Sequence, residues 1–426
     1  MTPHGTQQAP RLALNRASQF FDEPNEYRIL RLVRDAKVIS RTEIARLCRL
    51  SKPTVSDIVN RFLANGFLER IGESESTKRG GRKRELLRFN PTAGYVIGVD
   101  VHRGETRVAI ADLNADIIVS KAFSYKVRSS PEAVLKQTSD AIDVLLSGNR
   151  TYLDRCVGIG IGLPGLVDHH SGILKVADTL RGWNGLDLRK FFQKKFGVPV
   201  YVDNDVKART LAEFLFGCGG GSADQVFLWI GAGIGVGIII DGKLHRGITE
   251  SAGEIGYNEL RFGSAGKQLF PILYNGQRDY GDILSHSEII ERYLARAKHK
   301  SDATIESLID DAERGEKLAN RLMDEIGLLV SIICINLINT LNPQLLVIGG
   351  KLVEVGSGEA LLQRVRRRVR EDLLSVPAEA VRLVASQVKE KEGVVLGAVG
   401  FVLYDLFKPA RQNFELQNIS RFNSQH

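Results

Sequence analysis

Cysteine is scarce: there are four in 426 residues, Cys48, Cys156, Cys218 and Cys334, far apart and with no CxxC pair. This excludes a disulfide framework and a thiolate metal knot and fits a reducing compartment. Long apolar runs are missing too. The longest, Leu328 to Ile338, is too short to cross a bilayer, and the opening MTPHGTQQAPRLALNR has no apolar core of signal type. The expectation is a cytoplasmic chain with no membrane partner and, from its length, about two or three domains.

Excess charge is absent from most of the chain. Residues 1–90 hold 18 Lys and Arg against 10 Asp and Glu, whereas the other 336 residues hold 40 of each, so the whole net charge of +8 sits in the first fifth. A polyanion-binding module joined to a neutral body has this distribution, as does a merely solvated basic face.

Local patterns within that basic segment favour the module. Ile29, Leu32, Val33 and Ala36 recur at helical spacing. Ser40-Arg41-Thr42-Glu43 matches a capping box ahead of a short helix through Ile44 and Leu47. Ser51 can cap a third helix whose first turn tolerates Pro53, whose apolar stripe is Val55, Ile58, Val59, Phe62 and Leu63, and which stops at Asn65-Gly66. Lys52, Thr54, Ser56, Asp57, Asn60 and Arg61 are left facing outward. This is the pattern of a helix-turn-helix that lays its last helix in a major groove. Arg49 stands at the turn position where glycine is common, which predicts a left-handed residue under some strain. Two strand candidates, Phe67 to Ile71 and Glu85 to Phe89, flank the tip ESESTKRGGRKR, giving a wing. There Arg79, Arg82, Lys83 and Arg84 can follow phosphates or enter a minor groove, if the tip is not simply a linker.

From residue 94 the pattern changes to strands. Tyr95 to Val101, Thr106 to Leu113 and Ile117 to Phe123 form a meander, followed by a helix near Pro131 to Leu146 and the strands CVGIGIG and PVYVDND. A second series starts with VFLWIG and GVGIIID and ends on the buried strand Leu345 to Gly349. Two halves that each open on a strand hairpin predict a duplicated α/β, actin-like (ribonuclease-H-like) body of two lobes with a cleft between them.

GLPG (Gly162 to Gly165), DND (Asp203 to Asp205), IGAGIGVG (Ile230 to Gly237), SAGEIG (Ser251 to Gly256) and LNPQLLVIGGKL (Leu341 to Leu352) occur in this order. Together they resemble the ROK family of repressors, open reading frames and sugar kinases, and the preceding winged helix resembles its sugar-responsive repressors. Family kinases carry a first hairpin like DIGGTK, with two glycines to admit phosphate and a lysine to attract it. Here the tip is His102, Arg103, Gly104 and Glu105. Side chains fill the phosphate's space and a carboxylate repels it, so the resemblance implies a disabled nucleotide site. The family's zinc ligands are replaced by Tyr257, Leu260, Phe262 and Lys267, while Gly263 and Gly266 keep the turn, so no metal and no cofactor is expected there. His169-His170, in DHHSG, reads as a solvated turn in preference to a metal site.

The sugar side of the cleft is kept. By resemblance Asp205 takes the place of the kinases' general base, and Asn204 and Glu254 the places of groups that hold ring hydroxyls; Asp205 can alternatively cap the helix VKARTLAEFLF. The glutamate that contacts sugar in many members is Leu269 here. The expected organisation is a tail (1–22), a mainly α winged helix-turn-helix (23–90), a ROK sugar-sensing domain (91–406) and a polar tail (407–426). The expected function is a non-enzymatic transcriptional repressor. It reads a double-stranded DNA operator through Lys52, Thr54, Ser56, Asp57, Asn60, Arg79, Arg82 and Lys83, and binds a small sugar effector through Gly165, Asn204, Asp205, Glu254 and Tyr257. The apolar helix from about Glu316 to Leu341 suits lobe packing or self-association as a homodimer or dimer of dimers. A bifunctional sugar kinase with a DNA-binding arm and a regulator answering to a protein partner are the alternatives.

Overall fold

The computed structural model describes residues 24–73, 84–149, 151–260, 263–277, 279–297, 302–354 and 359–407. Arg79, Arg82 and Lys83, expected at the wing, and Phe262 lie outside these residues, as do both expected tails apart from Phe407.

The amino-terminal module contains α1 (Pro24–Ala36), β1 (Ile39–Ser40), α2 (Arg41–Cys48), α3 (Lys52–Ala64), β2 (Leu68–Glu73) and β3 (Glu85–Phe89). Helix α2 starts where Ser40 and Glu43 close a reciprocal capping box, and α3 starts where the Ser51 hydroxyl accepts from the Thr54 amide. Between them Arg49 adopts the left-handed conformation, φ +52°, so a non-glycine residue holds the sharp turn as the sequence predicts. The strands order β1-β3-β2 into a small sheet, in which Glu85 of β3 accepts from Arg41 Nε at 2.7 Å and Arg70 Nε at 2.6 Å. These bonds tie the wing to the start of α2.

The body contains two five-stranded sheets of identical topology. The first is built from β4 (Tyr95–His102), β5 (Glu105–Asp112), β6 (Ile117–Ser124), β7 (Cys156–Leu163) and β10 (Val200–Asn204), in the order β10-β7-β4-β5-β6; a separate ribbon, β8 (Leu166–Asp168) with β9 (Ile173–Val176), stands beside it. In the second, β11 (Gln225–Ile230), β12 (Ile234–Ile240), β13 (Lys243–His245), β14 (Leu345–Gly349) and β15 (Arg382–Ala385) follow the order β13-β12-β11-β14-β15. In each sheet the first three strands are antiparallel and the last two join in parallel. This is the duplication expected from sequence.

Helices α4 (Pro131–Ser147) and α5 (Leu188–Phe196) cover one face of the first sheet through Val134, Ile142, Leu188 and Phe192. Helix α6 (Asp205–Phe216) touches both sheets. The second lobe is built on α7 (Lys317–Leu341) and α8 (Glu359–Asp372). By length and composition α7 is apolar enough to cross a membrane, but its Leu322, Ile326, Leu329 and Ile333 are buried within the core of this lobe. Of the two uses expected of it, lobe packing is the one seen.

The last helix among the described residues, α9 (Glu390–Leu406), runs along α6 and across β4, β7 and β10. Its close approach explains the alternating glycines of CVGIGIG. A Cβ on Gly160 would stand 1.8 Å from the Ala398 carbonyl oxygen, and one on Gly397 would stand 1.9 Å from that of Ala208. Val399, Val402, Leu403 and Phe407 then continue into the same buried cluster as Ile29, Leu30, Val33 and Phe89 of the winged module. Phe407 packs edge-on against Phe89, ring centroids 6.1 Å apart, with Arg34 4.5 Å over its ring. The residue expected to begin a polar tail is therefore an apolar anchor, because its ring is buried between module and body.

Candidate ligand cleft and nucleic-acid interface

Helix α3 is divided by burial. Val55, Ile58, Val59 and Phe62 are buried, while Lys52, Asp57, Asn60 and Arg61 are exposed and Thr54 and Ser56 half-buried. Two of the outward residues are already engaged. Arg61 pairs with Glu26 of α1, and the Thr54 hydroxyl lies 2.7 Å from that of Ser51. Lys52, Asp57 and Asn60 form the open polar face.

The cleft grows from the carboxyl ends of three parallel strands, the place where open α/β sheets bind ligands. Asp100 of β4 pairs in register with Gly162 of β7, which pairs with Asp203 of β10. Asn204 is the cap of α6: its Oδ1 accepts from the amides of Val206 (2.9 Å) and Lys207 (3.2 Å), and its Nδ2 donates to the Gly165 carbonyl (3.0 Å). Asp205, offered as a possible cap, is instead the first helical residue. Asn204 thus retains one amide hydrogen for a ligand, and its main work is to lock the GLPG turn to α6. Gly165 has φ +114°, and a Cβ there would stand 2.3 Å from the Val176 carbonyl oxygen. Its lack of a side chain serves the neighbouring strand.

The remaining cleft groups are carboxylates and a phenol, with Lys207, Arg209 and His102 near them. Desolvation raises the Glu254 carboxyl, Lys207 opposes this, and Asp205 and Asp178 add to it. Tyr257 is exposed and donates to Asp178 Oδ2 at 2.7 Å, a bond that, with burial, pushes its hydroxyl up to about 12. Asp178, not singled out by sequence, joins the site through these two residues. Asp100 was missed as well. Desolvation pushes it up to about 6 against the pull of Arg209 and His102, with Asp205 adding to the rise.

A folded value of about 6 against 3.8 means that the folded protein holds this proton more tightly than the unfolded chain. Folding therefore suffers above pH 6, where both states are charged, and the penalty fades as pH falls toward 4. Asp100→Asn is expected to stabilise the protein by about 1–3 kcal/mol at pH 8 and by nothing at pH 4. Denaturant melts at the two pH values check this, and an equal gain at both would refute it.

At the first hairpin, His102, Arg103 and Glu105 are exposed around Gly104, φ +84°. Tyr125 donates to the His102 carbonyl at 2.5 Å and Arg107 pairs with Glu105 at 3.2 Å. The tip is thus a closed two-residue turn bearing bulky side chains. At the position of the family's zinc ligands, Leu260 is buried in the second lobe's core and Lys267 is exposed. The His169-His170 turn differs from expectation. His170 is exposed, but His169 is half-buried, with Nδ1 2.8 Å from Glu250 Oε1.

Arg209 connects these parts. Its guanidinium lies 3.8 Å over the Trp229 ring of the second sheet and donates to the Glu390 carbonyl at the start of α9 (2.7 Å). Arg107 donates to the Lys391 carbonyl beside it. One end of α9 therefore touches the cleft and the other the winged module.

Comparison with known proteins agrees with this division. Residues 23–80 match the MarR family of winged helices, and residues 96–404 match the ROK family. The chain is 29% identical to the xylose repressor of Caldicellulosiruptor bescii, covering 90% of this chain and 96% of that one. It is 25% identical to the DNA-binding transcriptional repressor Mlc of Escherichia coli, over 88% and 92% of the two chains. A crystal structure of a ROK family transcriptional regulator, a homologue of the E. coli Mlc protein, superposes with a TM-score of 0.75 at 24% identity, over 90% of this chain and 96% of that one. A ROK glucokinase from Streptomyces griseus, in complex with glucose and AMPPNP, shares the body's fold with a TM-score of 0.59 at 21% identity, over 72% and 99%. With the ordered motifs, the duplicated sheets and a profile match over most of its length, this chain belongs to the ROK family.

Proposed function

We propose that the protein is a DNA-binding transcriptional repressor of sugar-metabolism genes, acting in the cytoplasm, whose ROK body is a sensor without kinase activity. The observation that carries this reading is the unequal state of the two halves of the cleft. The hydroxyl-binding side keeps Asp205 and Glu254, beside which stand the carboxylates of Asp100 and Asp178, whereas the first phosphate hairpin ends in His102, Arg103 and Glu105. Carboxylates accept two hydroxyl hydrogen bonds each and repel phosphate, so the effector is a neutral sugar. The relatives named xylose repressor and DNA-binding transcriptional repressor Mlc support the reading as a repressor.

Two copies of the chain place two α3 helices on successive major grooves of a palindromic operator. Sugar binding changes lobe closure and moves α9, whose far end shares a core with the winged module. Affinities for sugar and for DNA are then reciprocally coupled.

The test is titration of a monosaccharide panel against the protein bound to operator DNA. One sugar is expected to release wild type, while Asp205→Ala and Glu254→Ala keep DNA binding and lose the response, and added ATP yields no sugar phosphate. An unchanged response in both variants would remove the cleft from the mechanism and favour control by a protein partner.

A further inference from the structure

Outside the effector groups, one cluster joins the two lobes. His169 and His170 occupy the turn between β8 and β9 in the first lobe, and Glu250 lies in the segment after β13 in the second. Each offers a ligand atom, and these atoms all lie within 4.8 Å of one another. Among the described residues no other three His, Cys, Asp or Glu side chains are grouped so closely.

The framework around them is fixed. Asp168 Oδ1 accepts from the amides of His170 (3.0 Å) and Ser171 (3.3 Å), and Arg189 donates to the carbonyls of both histidines. Glu250 holds a left-handed backbone, φ +70°, with its carbonyl accepting from Lys207 Nζ at 2.6 Å. Its side chain is buried, 9% exposed, and Oε2 has no hydrogen-bond partner. Arg246 stands 3.9 Å from Oε2 but is committed to Asp203, with Nε and Nη2 each 2.8 Å from Oδ2. A buried carboxylate oxygen left without a donor is costly unless a cation completes it.

We propose that His169, His170 and Glu250 bind a divalent transition-metal cation of the zinc class, which clamps the β8–β9 turn of the first lobe to the segment after β13 in the second. Two imidazoles and one carboxylate with an open fourth position suit zinc, whose nitrogen and oxygen ligands lie at about 2.0–2.2 Å. The exposed His170 ring, its centroid 3.8 Å from that of His169, closes on the ion by side-chain rotation. This site is separate from the family's cysteine-containing one, whose positions here are Tyr257, Leu260, Phe262 and Lys267. It does not depend on the effector reading, because its readout is the metal itself.

The experiment uses full-length protein stripped with a chelator. Zinc is titrated calorimetrically, and cobalt by its visible absorption, into wild type, His169→Ala, His170→Ala and Glu250→Gln. One zinc per chain is expected, with a raised melting temperature, and each substitution should weaken binding at least tenfold and remove the tetrahedral cobalt band. His170 is exposed and only its backbone is bonded within the turn, so His170→Ala tests the site in a folded protein. The proposal is overturned if wild type takes up no zinc, or if His170→Ala and Glu250→Gln bind it as wild type does.

Discussion

Gly160→Ala is expected to lower the melting temperature by roughly 6–12 °C, and Gly160→Val to leave little folded protein. The added Cβ meets the Ala398 carbonyl oxygen at 1.8 Å and the carbonyl carbon at 2.5 Å. Both are backbone atoms of a buried helix, so neither can rotate away as a side-chain tip would. Relief requires α9 to lift from β7. A core overpacked by one methyl commonly loses 1–3 kcal/mol, occasionally more, and a backbone clash puts the cost at about 3 kcal/mol; at about 2–4 °C per kcal/mol this gives the shift. Because α9 also carries Phe407 into the winged module, DNA binding should decline in the same variant, well below its new melting temperature. A Gly160→Ala protein with an unchanged melting curve would show that α9 does not press on this strand.

The second large effect is on DNA. Lys52→Ala combined with Asn60→Ala should reduce operator affinity at least a hundredfold with no change in melting temperature. Both side chains are exposed on α3 and neither contributes to the core. A good base contact is worth about 1–3 kcal/mol, and in a twofold dimer each substitution counts in both half-sites. Fluorescence anisotropy on a palindrome selected by the wild-type protein measures the loss. Affinity within threefold of wild type would show that α3 is not the reading helix.

Much of this architecture could be read from local pattern. The capping box at Ser40, the Ser51 cap ahead of Pro53, the left-handed Arg49 and the strand Leu345 to Gly349 are all written in neighbouring residues, where spacing alone encodes geometry. The site was harder to read because its meaning depends on residues far apart in sequence. Asn204 matches a sugar-binding position, yet most of its amide is spent on its own helix and on Gly165. Asp178 joins the cleft because Tyr257, 79 residues later, turns to it and Glu254 stands near it. His169 has the sequence context of a solvated turn residue, yet the fold sets Glu250, 81 residues on, against it. No periodicity carries such contacts, since each is set by how the two lobes close.

The position of α9 also bears on how the protein is made. It is the last described element of the chain, yet it covers one face of the first sheet and completes the core shared with the first helices. During synthesis the winged module emerges before the sensor and waits through the sensor's length until Phe407 arrives to seat it. A ribosome that stops before α9 therefore releases a reading head without this anchor, and every correctly anchored reading head belongs to a chain translated through α9.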